Sequence, residues 1–262
     1  MQPQVSISTA FSYDILIGDQ IAIAAEVGFS HISLGLRREH SGYLDPIRRQ
    51  QLKDSLQQHG IKIDTIHAQR LNKPDAISEA TATVEAAADL GAKCIVAHGG
   101  PPYFDSEGFD KRFRKLLDIC YTLTPIAQHN GVVFALENIN PGPATDLVRR
   151  VLPELDSSIF GLCYDSAHDQ IDSPRQFNII EEFQDRLFAV HLSDRINPFI
   201  DHVIPGEGFI DWLVMCDKLR MAHYKKPILM EVMMKHSQFK ESKTYLREAY
   251  QAGVGIWQLI HK

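Results

Sequence analysis

The chain lacks the features of a membrane protein, a secreted protein and a nucleic-acid-binding tail. No stretch approaches the roughly 18 consecutive apolar residues of a membrane span. Residues 1–9 contain no basic segment followed by a long apolar run, so we expect no signal peptide. Lysine and arginine (27) are fewer than aspartate and glutamate (33), and the net charge of −6 gives no electrostatic reason to expect nucleic acid or a membrane as a partner.

Cysteine is scarce and has no metal or redox spacing. The four cysteines form no CxxC pair. Two fall in predicted strands and two in predicted helices, which favours buried free thiols and indicates a reducing, cytoplasmic location. These residues are Cys94, Cys120, Cys163 and Cys216.

The chain also lacks a linker rich in proline, glycine or serine, a low-complexity tract and an internal repeat, which predicts one domain over residues 1–262. This length is close to the roughly 250 residues of a (β/α)₈ barrel. A doubly wound dinucleotide fold would have a glycine-rich turn after its first strand. Ser8, Thr9 and Ala10 stand there instead.

Short, nearly continuous apolar runs alternate with stretches of helical periodicity. Such runs are typical of parallel strands buried on both faces. Gly28, Gly60, Gly91 and Gly131 follow helical stretches and are the expected left-handed caps. Eight strand–helix units in one alternation predict an α/β fold, a single (β/α)₈ TIM barrel. The predicted strands are Val5–Thr9, His31–Leu34, Lys62–His67, Lys93–Ala97, Val132–Glu137, Phe160–Asp165, Leu187–His191 and Pro227–Glu231.

Four of these strands end in a residue that can bind a metal: Glu137, Asp165, His191 and Glu231. The carboxyl ends of all barrel strands surround one mouth, so we expect these side chains to converge. Three carboxylates and one imidazole suit a divalent ion such as Mn²⁺, Mg²⁺, Co²⁺ or Zn²⁺.

Each ligand candidate has a simpler structural alternative. Glu137 and Glu231 could each form a structural salt bridge, and Asp165 precedes Ser166 as a helix N-cap would. His191 alone would more often be a hydrogen-bonded core residue, and three acidic companions favour ligation over that alternative.

Further polar residues lie at or just beyond strand ends. His67 and His98 could hold a second metal that shares Glu137. His168 and His202 are candidate substrate contacts; the latter lies in a turn-rich segment, residues 201–208, predicted to be an ordered loop. Arg195 and Arg70 could hold a substrate oxyanion or phosphate, although solvated surface arginines are an equal alternative.

These motifs resemble the xylose isomerase-like TIM-barrel superfamily, which includes sugar-phosphate isomerases and epimerases and endonuclease IV. The resemblance covers nearly the whole chain. It is carried by Ala135-Leu136-Glu137-Asn138, Asp165-Ser166-Ala167-His168, His191-Leu192-Ser193-Asp194, the segment 201–208 with Ile210-Asp211-Trp212, and Met230-Glu231.

For the epimerase branch, the resemblance implies a divalent metal held by Glu137, Asp165, His191 and Glu231. It also implies that the two glutamates act as acid and base on opposite faces of a ketose, and that His168 binds substrate oxygens. Many sugar-binding members have a glutamate on the second strand where Ser33 stands here. The substrate is therefore not carried over.

The endonuclease IV branch is the rival. It uses three zinc ions, and all but one of its ligands have counterparts in this chain. The exception is Ile200, which stands where that branch has an aspartate. Asp201 is the next residue and could substitute for it, but its side chain would approach from a different direction. Arg70 also replaces the aromatic residue that probes DNA. The matching residues are His67, His98, Glu137, Asp165, His168, His191, His202 and Glu231.

Three classes of function follow. The first choice is a metal-dependent isomerase or epimerase of a small sugar, sugar phosphate or cyclitol, with Glu137 and Glu231 as the proton-transfer pair; the same centre could also run a dehydration. The second is a zinc phosphodiesterase of abasic-site type. The third is a non-catalytic ligand-binding barrel, which predicts no metal. The sequence is compatible with a homo-oligomer but shows no stripe that marks an interface.

Overall fold

The barrel is built from eight parallel strands. The computed structural model describes residues 2–100, 108–139, 142–169 and 176–262. Each barrel strand pairs with the next barrel strand along the chain, and the first strand closes the ring against the last. The predicted (β/α)₈ barrel is therefore confirmed. The barrel strands are β1 Val5–Ser8, β2 His31–Leu34, β3 Lys62–His67, β4 Cys94–His98, β5 Val133–Glu137, β6 Phe160–Asp165, β7 Leu187–Leu192 and β10 Ile228–Met230.

Two further strands form an antiparallel hairpin after β7, β8 (Asp194–Asn197) and β9 (Ile200–Val203). The sequence pattern predicts only a loop from residue 201, which is wrong for its first three residues. The Asn197 side chain makes the turn, because its Oδ1 accepts hydrogen bonds from the backbone N–H of Phe199 (2.8 Å) and Ile200 (3.0 Å).

Helices separate the barrel strands and cover the outside of the ring. Four of them end at the glycines predicted from the sequence, each of which has a positive φ between 62° and 116°. None of the helices in the described residues is long and apolar enough to cross a membrane. The helices are α1 Ile17–Val27, α2 Arg38–Ser41, α3 Pro46–His59, α4 Ala76–Leu90, α5 Phe109–Asn130, α6 Pro143–Val151, α7 Asn178–Glu182, α8 Trp212–Met221 and α9 Ser242–Ile260.

Small residues line the inside of the barrel below its mouth. Ala135, Cys163 and Ala189 belong to a cluster of buried residues that is separate from the main core between strands and helices. Side chains of a strand repeat their direction every two residues. The residues two positions further along the same strands therefore share this inward face, and they are Glu137, Asp165 and His191.

All four cysteines are buried and free, as predicted. Burial raises the pKa of the Cys94 and Cys216 thiols to about 12. Both are therefore protonated at neutral pH.

Candidate metal centre

Four potential ligands meet at the carboxyl ends of β5, β6, β7 and β10. Their residues are 0–8% exposed. One ligand atom from each lies within 4.8 Å of the corresponding atoms of the other three. The strand register explains the convergence, because His191 lies opposite both Asp165 on β6 and Leu229 on β10. The four residues are Glu137, Asp165, His191 and Glu231.

Several polar atoms in this group are buried without a hydrogen-bond partner. His191 Nδ1 is 2.6 Å from Glu231 Oε2 and 3.5 Å from Glu137 Oε2, yet neither contact has hydrogen-bond angles. Asp165 Oδ2 likewise lacks a partner within the described residues. Leaving such groups unpaired costs about 1–3 kcal/mol each. Atoms that converge on one point without bonding to each other fit a shared cation.

Opposite charges keep most of the carboxylates ionised. Burial raises the pKa of Asp165 to about 6. Burial also favours protonation of the two glutamates, but His98 and His191 hold the pKa of Glu137 well below its usual range, and His191 lowers that of Glu231 to about 2. The centre therefore presents anionic oxygens to a ligand at neutral pH.

Asn138 fixes Asp165 in place. Its Nδ2 donates to the Asp165 carbonyl (2.9 Å), and its Oδ1 accepts from the Asp165 N–H (2.7 Å). Asp165 Oδ1 accepts from the N–H groups of Ala167 (2.7 Å) and His168 (3.1 Å), which leaves Oδ2 for the centre. Asp165 thus has the capping contacts considered as its alternative role and also faces the other ligand candidates. The polar residue directly after a buried glutamate was the sequence signal for Asn138.

His67 and His98 lie beside the same carboxylate. Their Nε2 atoms are 3.1 Å and 3.2 Å from Glu137 Oε2. His67 Nδ1 is 3.1 Å from the carbonyl of Ala68; a neutral ring that donates there turns a lone pair toward the carboxylate. That contact is unfavourable unless a proton or a cation lies between the two atoms. Burial lowers the pKa of His98, and the neighbouring Glu137 carboxylate opposes this shift.

The two predicted substrate-contact histidines lie on the side of Asp165. His168 Nδ1 is 3.5 Å and His202 Nε2 is 3.8 Å from Asp165 Oδ2. Burial lowers the pKa of His168, but Asp165 and Glu137 raise it to about 10. His202, the third residue of β9, has a positive φ of 54°, a strained conformation, and its ring groups with Asp165 and His168. Asp201 Oδ1 lies 3.1 Å from His202 Nδ1. This contact is not a hydrogen bond, and it is an ion pair when the ring is protonated.

Arg195 holds the hairpin in place. Its guanidinium donates to the carbonyls of Ala167 (2.9 Å), Asn197 (3.2 Å) and Pro198 (3.2 Å). These bonds tie the hairpin to the segment after β6. The expectation that Arg195 contacts substrate gains no support from this geometry.

Asp194 organises the segment that follows the hairpin, a role that the sequence pattern did not reveal. The residue is fully buried. Its Oδ1 accepts from the backbone N–H of Arg195 (2.8 Å) and Ile210 (3.1 Å), and its Oδ2 from that of Gly206 (2.9 Å) and from Trp212 Nε1 (2.8 Å). These bonds hold the start of β8 against residues 206–212, the segment that leads into α8.

We expect Asp194→Ala to lower the free energy of unfolding by roughly 3 kcal/mol, because four donors lose a charged acceptor. Tryptophan emission should shift to longer wavelength as the indole of Trp212 gains access to water. Thermal unfolding and fluorescence measure both effects. The control is Asp211→Ala, which removes only an N-cap of α8, worth about 1 kcal/mol. Equal losses in the two variants would contradict the role assigned to Asp194.

Comparison with known proteins places this geometry in a family. The family described as xylose isomerase-like TIM barrel matches residues 21–249. The uncharacterized protein y4fM of Sinorhizobium fredii (strain NBRC 101917 / NGR234) is 26% identical over 170 residues, which make up 63% of this chain and 55% of that protein. The match thus spans about half the length of that relative.

Three solved structures have the same fold over nearly their full length. The IOLI protein, described with a bound zinc atom, gives a TM-score of 0.83 at 19% identity and covers 97% of this chain and 98% of its own. The 3-keto-D-glucoside 4-epimerase YcjR from E. coli gives 0.76 at 16% identity, with 96% and 99% covered. The D-psicose 3-epimerase from Clostridium cellulolyticum H10, solved with D-tagatose, gives 0.77 at 18% identity, with 95% and 96% covered.

At these identities the solved structures establish a shared fold. The family match is broader evidence, since it begins within α1 and ends within α9 and so includes every strand from β2 to β10. The chain belongs to the xylose isomerase-like TIM barrel family.

Proposed function

We propose that the protein is a divalent-metal-dependent isomerase or epimerase of a sugar, sugar phosphate or cyclitol. The observation that carries this proposal is the convergence of Glu137, Asp165, His191 and Glu231 within 4.8 Å, with buried atoms that lack hydrogen-bond partners. Two proteins of the same fold are described as sugar epimerases and a third as binding zinc, which supports the proposal.

The donor set fits a hard or borderline divalent ion. Three carboxylates and one imidazole suit Mn²⁺, Mg²⁺, Co²⁺ or Zn²⁺. Such an ion, when bound, would polarise a substrate carbonyl and the neighbouring hydroxyl, which makes the C–H bond between them more acidic.

The two glutamates supply the proton transfers. The low pKa of Glu231 keeps it a carboxylate at neutral pH, so it can accept the proton. Glu137 Oε1 lies 3.2 Å from His168 Nδ1, whose raised pKa keeps a proton on the ring. Glu137, when protonated, returns a proton to the opposite face of the carbon and inverts its configuration. Between turnovers Glu231 releases the proton that it took and Glu137 takes one up from solvent, which restores the pair. His168 and His202 would also hold substrate oxygens.

The reaction is tested by solvent isotope incorporation. Protein loaded with Mn²⁺ is incubated in D₂O with a panel of ketoses, ketose phosphates and keto-cyclitols, and products are followed by NMR and mass spectrometry. We expect an isomer of one substrate that carries solvent deuterium at the reacting carbon. Chelation should stop the exchange and added metal should restore it. Absence of exchange with every metal and substrate tested would count against the proposal.

A phosphodiesterase of abasic-site type is the second candidate, favoured by two further groups of potential ligands. His67, Glu137 and His191 form one, and Asp165, His168 and His202 form the other. Ile200 and the pairing of Asp201 with His202 argue against a full third site. Elemental analysis separates the two functions: one ion per chain favours the isomerase, whereas two or three ions, together with cleavage of an abasic-site duplex, favour the phosphodiesterase.

A further inference from the structure

The mouth of the barrel has an uneven distribution of charge. The carboxylates of the centre come from β5, β6 and β10, whereas two arginines follow β2 and β3 on the other side of the ring. Arg37 lies three residues beyond the last residue of β2, and Arg70 three residues beyond the last residue of β3. Because β2 and β3 are neighbours in the barrel, the two arginines stand at equivalent positions after adjacent strands.

Arg37 packs on the ring of Tyr13. Its guanidinium carbon lies 4.6 Å from the centroid of the Tyr13 ring, and its backbone N–H donates to the Tyr13 hydroxyl (3.4 Å). A side chain at Gly35 would come within 2.6 Å of that hydroxyl, so the glycine makes room for the ring. These contacts hold Arg37 at the start of the β2–α3 connection.

Arg70 stands three residues after His67, in the β3–α4 connection. It is partly buried, and the next residue, Leu71, donates its N–H to the carbonyl of His98 (3.0 Å). This backbone bond holds the start of the β3–α4 connection against the end of β4, the strand that ends in His98.

Neither guanidinium is neutralised within the part of the chain that the structure describes, where no ion pair or side-chain hydrogen bond is formed by Arg37 or Arg70. Three acids on the adjacent helices already have partners: Glu39 and Glu79 pair with Arg38, and Asp89 pairs with Arg49. Two planar cations without acceptors, after strands whose ends surround the same mouth as the centre, are suited to an anion brought by a ligand.

We propose that Arg37 and Arg70 bind an anionic group of the substrate, so that this protein acts on phosphorylated or carboxylated sugars in preference to neutral ones. This inference rests on the proposed function for the reacting end of the substrate. The ion at the centre would hold the carbonyl end, and the arginines would hold the charged end. Two guanidinium groups match the several oxygens of a phosphate ester, and a carboxylate offers the same chemistry with fewer oxygens.

Binding to the Mn²⁺-loaded protein tests this inference with three ligands that differ at one carbon: D-fructose, D-fructose 6-phosphate and D-fructuronate. Calorimetry should give a dissociation constant at least about tenfold lower for one anionic ligand than for D-fructose. The tighter of the two anions identifies the group. The double variant Arg37→Gln/Arg70→Gln should lose most of that preference while its affinity for D-fructose stays within about twofold, since no charge pair is involved.

The ratio of the anionic to the neutral affinity within one variant cancels any loss of folded protein. Arg37→Lys/Arg70→Lys should recover part of the preference, because lysine keeps the charge but not the planar fork. The matched control is Arg114→Gln on α5, in an outer cleft also lined by Lys73, Lys111 and Lys115. This change should have no effect.

Three results would overturn the inference: no preference for either anion, no binding of either anion at millimolar concentration, or a preference that Arg114→Gln removes. The last would place the anion in the outer cleft. The measurement needs no turnover, so it is repeated with Glu231→Gln protein. For the wild-type protein, an anion preference without any isomerase activity would refute the proposed function alone. Equal wild-type activity on neutral and anionic sugars would refute the inference alone.

Discussion

Replacing Glu231 with glutamine is expected to lower kcat by about 10²–10⁴-fold, the usual contribution of a positioned acid or base. The amide has nearly the same size as the carboxylate but cannot accept a proton. Glu231 is 8% exposed and its low pKa keeps it ionised, so the substitution removes a buried group that is charged at neutral pH. Steady-state rates and the uptake of solvent deuterium measure the loss.

Metal content separates the two roles proposed for Glu231, as a metal ligand and as a base. Elemental analysis of Glu231→Gln protein should show bound metal at saturating concentration, because three other donors and the amide oxygen persist. Glu85→Gln, an exposed position on α4, is the control and should keep wild-type rates. Wild-type turnover by Glu231→Gln would remove this residue from the mechanism.

Adding Mn²⁺ to metal-free protein is expected to raise the melting temperature substantially. Free metal at a thousandfold excess over its dissociation constant stabilises the folded state by about 4 kcal/mol. For a chain of this size that corresponds to a rise of roughly 8–16 °C. Asp165→Asn should remove most of the rise, because it deletes a fully buried ligand candidate. An equal rise in this variant and in the exposed control Asp185→Asn would contradict the site.

The effect of metal should depend on pH with a defined sign. Burial raises the pKa of Asp165 to about 6, from 3.8 in an exposed carboxyl. Ionisation of this group therefore destabilises the metal-free fold as pH rises through about 6. Metal binding needs the ionised form, so metal affinity should fall by up to about tenfold per pH unit below pH 6. Titrations between pH 5 and 7, roughly one unit to each side of that pKa, measure the slope.

The sequence was enough to predict the barrel and the place where its ligand candidates meet, and the physical reason is simple. A carboxylate at the end of a run such as Phe134-Ala135-Leu136 is costly unless something compensates it, and parallel closure brings all such ends together. The strand bounds differ from the prediction by one residue or less at each end.

The hydrogen bonds from side chains to distant parts of the fold could not be predicted from the sequence pattern. The hairpin β8–β9 has no apolar alternation, and its turn depends on one amide, that of Asn197. Arg195 is directed at three carbonyls that only the folded chain brings together. Asn138 and Asp194 act through hydrogen bonds to backbone groups distant in sequence, and neither leaves a periodic signal.

The closure of β1 against β10 has a consequence for biosynthesis. Glu231 follows the strand that completes the ring, more than 90 residues after Glu137 in the sequence. During translation, a nascent chain that has released only the middle strands contains Glu137, Asp165 and His191 but lacks Glu231. The proposed cation site is therefore complete only after β10 has been synthesised and has joined the ring.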